Sequence, residues 1–348
     1  MVESIPISPS DVASATSKAT ANGKATLSKH AVFYFPDGTL FVQIASTPTV
    51  YNVHRTLLTR HTPVLEPWIG PAQPSVLALD DTPRTHVEIL RIPESAGVQP
   101  ADFDVLLEHL YHDAALVPAP PFPRLAALLR ITSPHQLSIL PLATQARTHL
   151  AALFPGGPTP FAHLHPREHL EDALALAMAY PEAVAPKTKN ALLYGVATST
   201  NFDPQSAYDP NPHTAPPDND TPQDADAVPH PALTPRTLRI LHRLLAALVA
   251  DFTPLLFTVG AASHMECTDI LAERWMADVI GPSLVDGGVA RPLETLARVS
   301  EWDWAGAGVC KECVEKKREE WAEEAGKIWD AVPGWVKEAE DAEEAAAQ

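Results

Sequence analysis

Residues 33–65, FYFPDGTLFVQIASTPTVYNVHRTLLTRHTPVL, decide how the first half of this chain is read. The aromatic run Phe33-Tyr34-Phe35 meets Pro36-Asp37-Gly38-Thr39, and Leu40-Phe41-Val42-Gln43-Ile44 follows. Asp-Gly between two aromatic or β-branched runs predicts a β-hairpin, because such a turn needs residues that tolerate positive φ. Val50-Tyr51-Asn52-Val53 predicts a third strand. From His54 to Arg60 the pattern shifts toward a helix, and from Pro63 to Ile69 toward a second, shorter one.

Moving outward, residues 87–92 alternate in the manner of another strand. Pro100 then stands where a first helical residue would, and Phe103, Leu106, Leu107, Leu110 and Tyr111 follow at i, i+3, i+4, i+7 and i+8. That spacing predicts an amphipathic helix with a single core-facing stripe. Two more helices are expected over residues 125–131 and 135–154. The first ordered domain therefore spans 28–154, with a short β-sheet and a helix cluster. Residues 1–27 are Ser, Thr, Ala and Pro with few large apolar side chains, so a disordered N-terminus is expected.

The remainder, 155–337, reads as a mostly α-helical domain. Leu170, Leu174 and Met178 recur at four-residue steps within 166–180, and 191–197 extends that helix. Residues 201–231 are Pro-, Asp- and Asn-rich, which predicts a disordered acidic loop. Thr234-Pro235 restarts helix as an N-cap followed by proline, with Leu238, Leu241, Leu245 and Leu248 as its apolar face. Helices over 268–280 and 311–331 follow, the last lined by Val314, Trp321, Ala325, Ile328 and Val332. Residues 338–348 read as a fraying acidic tail. The fold class is thus α+β at the N-terminus followed by an α-helical region.

The first domain resembles a BTB/POZ domain. The matching residues are Asp37-Gly38, then Val53-His54-Arg55-Thr56-Leu57-Leu58, then Arg60-His61-Thr62-Pro63-Val64-Leu65, and later the helix ending in Leu110-Tyr111. The whole is similar to the BTB proteins of mushroom-forming fungi, which also carry a helical C-terminal region. Leu65 stands where the family usually has Phe, and Pro67 interrupts the helix that follows. The resemblance implies a binding module: homo- or hetero-association through this domain, and docking onto a cullin scaffold or a corepressor. His54 and Arg55 read as residues that fix the start of a helix.

A second pattern carries chemistry. The three cysteines fall as Cys267, with His264 three residues before it, and as the pair Cys310 and Cys313. H-x2-C and C-x2-C are spacings by which a chain wraps two ligand pairs around one tetrahedral zinc. Each pair precedes or opens a predicted helix, so a ligand can sit in the turn and its mate in the first helical turn. Two readings stand: a structural zinc site using all four residues, or buried free thiols with His264 at the surface. With all four used no position stays open, so a bound metal is structural rather than catalytic. His163, His165 and His169 form a looser group, read as solvent-facing histidines around the start of a helix.

Composition narrows the function classes. Acids outnumber bases 43 to 25, for a net charge of −18, which opposes direct binding to nucleic acid or to an anionic membrane. Three cysteines make no disulfide framework, no stretch reads as a membrane span and no signal sequence opens the chain, so cytoplasm or nucleus is expected. G-x-S-x-G, G-x4-G-K-[ST] and H-E-x2-H are absent, and no catalytic residue is assigned. The expected function is protein–protein interaction rather than catalysis, with a substrate adaptor for a cullin-type ubiquitin ligase as its specific form. The alternative is a transcriptional or chromatin regulator that recruits corepressors without touching DNA.

Overall fold

The computed structural model describes residues 27–72, 88–111, 120–158, 169–199, 202 and 233–347. Two compact units divide the chain: Met1–Thr56 with Pro67–Glu94, and Leu57–Glu66 with Ser95–Gln348. Among the described residues all five strands lie in the first, and the second is helical, which makes the whole mixed α and β. The expected disorder of 1–27 and 201–231 falls, apart from Leu27 and Phe202, outside the described residues, as do His163 and His165.

The first unit is a five-stranded mixed sheet in the order β1-β3-β2-β5-β4. Its strands are β1 (Ser28–Tyr34), β2 (Leu40–Ile44), β3 (Thr49–Val53), β4 (Ile69–Pro71) and β5 (Glu88–Ile92). The hairpin expected across Asp37-Gly38 does not form. Strands β1 and β2 flank that turn but each pairs with β3, in parallel and antiparallel fashion respectively, and the true hairpin is β2–β3. The reason is visible at the turn: Phe35 N–H donates to Asn52 O and Thr39 N–H to Val53 O, both at 2.9 Å. The Asp-Gly corner thus steps over the end of β3. It does so closely enough that a Cβ on Gly38 would stand 2.8 Å from the Asn52 carbonyl carbon, so only glycine fits.

Strand β2 is central and buried on both faces, with Leu40, Val42 and Ile44 on one side and Phe41 on the other. Phe41 packs with Val50 and Ile89, and Leu27, Tyr34 and Ala72 close that cluster. His54 lies 3.4 Å from Asp37 and Arg55 donates to Glu88 at 2.8 Å, while the Arg55 N–H caps onto Thr39 Oγ1. Both residues therefore fix the turn and the start of α1 (Arg55–His61), as their position in the sequence suggested.

The outer strand β1 is irregular. Its pairing with β3 shifts register between Lys29 and Tyr34, and within that kink the Val32 and Phe33 N–H groups both donate to His30 Nδ1. At the opposite edge β4 has three residues and ends in Pro71.

In the second unit α2 (Pro100–Leu110) buries Phe103, Leu106, Leu107 and Leu110, the predicted stripe, against α3 (Phe122–Ile131). The Arg130 guanidinium of α3 grips the buried Asp102 carboxylate of α2 with two bonds of 2.6 and 2.8 Å. This hydrogen bonding outweighs the opposing effect of burial and raises the Arg130 pKa further above its ordinary value. Helix α4 (Leu140–Leu153) begins five residues later than expected, with Pro141 in its first turn, where a missing N–H is harmless. Helix α5 (Leu170–Ala179) and α6 (Pro186–Ala197) are separate, because Pro181 and Pro186 interrupt what the sequence suggested was one element.

Helix α7 (Pro235–Phe257) is the spine of the unit; α8 (Met265–Arg274), α9 (Gly281–Val285) and α10 (Pro292–Glu301) follow it, and it packs on α6 and on α11 (Lys311–Ala346). By length and composition α7 could also cross a membrane. Its buried face is Ile240, Leu241, Leu244, Leu248 and Phe252, one position round from the face expected, so Leu245 is half-exposed. Thr234 caps it as predicted, its hydroxyl accepting the Thr237 N–H at 3.2 Å. Thr234→Ala removes about 1 kcal/mol of cap energy. It will lower the melting temperature by roughly 2–4 °C in calorimetry, and an unchanged value would mean the cap contributes nothing.

The last helix continues through the segment that the sequence suggested was a fraying acidic tail. It runs 36 residues through Pro333 to Ala346, and Val336, Ala339 and Glu343 remain buried. Glu343 is clamped by Arg239 at 2.6 Å and Arg243 at 3.4 Å, both from α7. Lys189–Glu340 and Arg236–Glu344 add two further links. Composition alone read this segment as a solvated tail, and the arginines that hold it are about a hundred residues upstream.

Candidate metal centre

Helix α8 (Met265–Arg274) starts directly after His264, which occupies its N-cap position with extended backbone. The loop before it is tied down locally, with Ala262 N–H donating to Thr268 Oγ1 and Thr268 N–H to His264 O. Cys267 then falls in the first turn of α8 and faces inward. The second ligand pair repeats the design: Cys310 is the N-cap of α11 and Cys313 lies in its first turn. The chain reaches Cys310 through Gly308, whose φ of 107° favours glycine, and through a Val309 N–H bond to Trp304 O.

These turns bring all four predicted ligand residues together. His264 Nδ1 lies 3.3 Å from Cys310 Sγ and 3.5 Å from Cys313 Sγ, and the Cys310 N–H approaches Cys267 Sγ at 3.4 Å. The four ligand atoms all lie within 4.8 Å of one another. A regular tetrahedron around zinc, with bonds near 2.0–2.3 Å, has edges of about 3.7 Å, so the group needs only small rotamer adjustments to close on an ion. Three sulfurs and one imidazole nitrogen are also the soft donor set that zinc prefers over calcium or magnesium.

Electrostatics make the centre ready for a cation. Burial by itself would push the Cys313 thiol up, but the backbone at His264 and Ser263 and the thiols of Cys310 and Cys267 hydrogen-bond to it and bring it down to about 7. At Cys310 the Cys313 backbone acts downward, and burial with the Cys313 and Cys267 thiols outweighs it and raises the pKa. The geometry thus lowers one thiol, Cys313, toward the thiolate form in which cysteine binds a metal. Cys267 and Cys313 are buried, Cys310 is half-buried and His264 is exposed. An ion would therefore be reached from the His264 side.

The same unit holds an aromatic group that spacing arguments did not bring together. Trp275, Trp304 and Trp321 pack together with ring centroids 5.7–6.1 Å apart, the Trp275–Trp304 pair stacked and the other two pairs tilted. Trp275 donates to Leu256 O and Trp304 to Val299 O, each at 2.8 Å, so neither indole N–H is wasted. One signal was available: six of the seven tryptophans fall between residues 275 and 335. His169, from the looser histidine group, stacks on Phe122 and reaches Asp172 at 3.3 Å. It takes no part in the cluster. Comparison of the chain with protein-family models, with curated proteins and with solved structures finds no match in any of the three.

Proposed function

We propose that this chain is a protein-interaction protein that associates through a BTB/POZ-like first domain and uses its helical region, braced by a structural zinc, to capture a second protein. The observation that carries the first half is the run from Asp37-Gly38 through the β2–β3 hairpin into a helix opened by His54-Arg55, followed by Pro63 and Leu65. That order of elements supports the BTB resemblance, and the resemblance in turn supports association with copies of itself or with other such domains. The zinc rests on the four converging donors of His264, Cys267, Cys310 and Cys313. All four are consumed in holding α8 against the start of α11, so the ion serves as a brace.

The specific form of the proposal is a substrate adaptor for a cullin-type ubiquitin ligase. Titration of the purified full-length protein with the N-terminal region of a BTB-binding cullin will give micromolar or tighter binding. Absence of binding would remove the ligase role. Light scattering in the same buffer would then decide whether self-association survives on its own, as a corepressor-recruiting regulator requires.

A further inference from the structure

Beside Lys317, one turn of α11 beyond Cys313, the second unit holds a partly open cavity of about 290 Å³. We propose that it is a binding site for a small, uncharged, planar aromatic molecule carrying one hydrogen-bond acceptor. The inference stands apart from the association role proposed above and does not need it.

Three observations define the ligand. The first is the wall: Trp275, Trp321, Phe252, Leu256, Leu296 and Val299 line the space, with indole and phenyl rings that suit a flat ring system. The second is Lys317, which sits one helical turn beyond Cys313 and whose side chain is 7% exposed. Its ammonium has three N–H donors, and among the described residues one of them is taken, by Glu320 at 2.5 Å. Room for it exists because residue 260 is glycine: a Cβ there would stand 2.7 Å from Lys317 Nζ. A buried ammonium with spare donors, set into an apolar wall, is built to meet an acceptor.

The third observation is charge. Glu320 already balances Lys317, so a ligand anion would add an uncompensated charge, and it would also meet Glu323 and Glu324 in the lining. A ligand cation would meet the Lys317 ammonium. A neutral molecule with a carbonyl or ether oxygen avoids both penalties. The volume lies at the small end of ligand pockets and holds a fused two-ring compound.

Calorimetric titration of the full-length protein with coumarin tests this, with naphthalene, coumarin-3-carboxylate and tryptamine as comparators. Coumarin will bind one per chain at roughly 10–100 µM, tighter than the carboxylate or the amine. Lys317→Met will weaken coumarin about tenfold and leave naphthalene unchanged, because it removes the donor and keeps the shape. Leu296→Trp will fill the cavity and block both, with circular dichroism confirming the fold. If that variant does not fold, Lys317→Met decides alone, since Glu320 is half-exposed and returns to solvent. The proposal is overturned by absence of saturable coumarin binding, by tighter binding of either charged comparator, or by a Lys317→Met protein that binds coumarin as the wild type does.

Discussion

Cys310→Ser will leave the protein without stoichiometric zinc and will lower its melting temperature by roughly 8–16 °C, read by elemental analysis and calorimetry on the same sample. The size follows from linkage. A metal present at about a thousand times its dissociation constant contributes roughly 4 kcal/mol to the folded state. In a domain of this length each kcal/mol moves the midpoint by about 2–4 °C. Serine offers a hard, weak donor where a thiolate stood, and three ligands hold zinc far less well than four. A strong chelator added to the wild type will reproduce the shift and will add nothing to the variant. Wild-type protein free of metal after expression in zinc-supplemented medium would sink the centre, leaving three thiols and an imidazole joined only by hydrogen bonds.

Arg130→Leu will cost about 3 kcal/mol, measured as a fall in the urea midpoint at constant slope. Asp102 is buried and its carboxylate is paired by both arms of the guanidinium. Removing the arginine strands a negative charge between α2 and α3. Arg130 is about a third exposed, which keeps the effect at the lower end of the range for buried pairs. The double change Arg130→Leu with Asp102→Leu will recover most of the loss, because both charges then leave together. A double variant as unstable as the single one would show that the contact acts through packing instead.

What could be read from the chain and what could not follows the distance over which each feature is encoded. The α2 stripe from Phe103 to Leu110, the Thr234 cap and the two x2 ligand pairs are local patterns, and the structure carries each at the expected residues. That both pairs open helices was also legible, since an N-cap followed by a helical turn is a short-range signal. Joining His264 to Cys313 across about fifty residues was inferred from donor chemistry alone. Features set by remote partners went unread. Strand β3 lies between β1 and β2, where Phe35 and Thr39 donate their N–H groups to Asn52 and Val53. The acidic C-terminus became helix because Arg239 and Arg243 wait for Glu343 on another element. The cavity draws its lining from Phe252 to Glu324, which no periodicity connects.

The two margins of the sheet bear on how copies of this protein can meet. An open strand edge is a template on which another chain can add a strand, and proteins that stay dispersed interrupt it. At β4 the interruption is brevity and Pro71. At β1 it is the kink in which the His30 ring occupies the Val32 and Phe33 N–H groups, so that two backbone donors are engaged within the strand's own chain. Among the described residues, a ribbon growing from subunit to subunit by shared β-structure therefore lacks a straight, unengaged edge on either side. Contact between copies across these described margins would then run side chain against side chain, over a surface that mutation can tune one residue at a time.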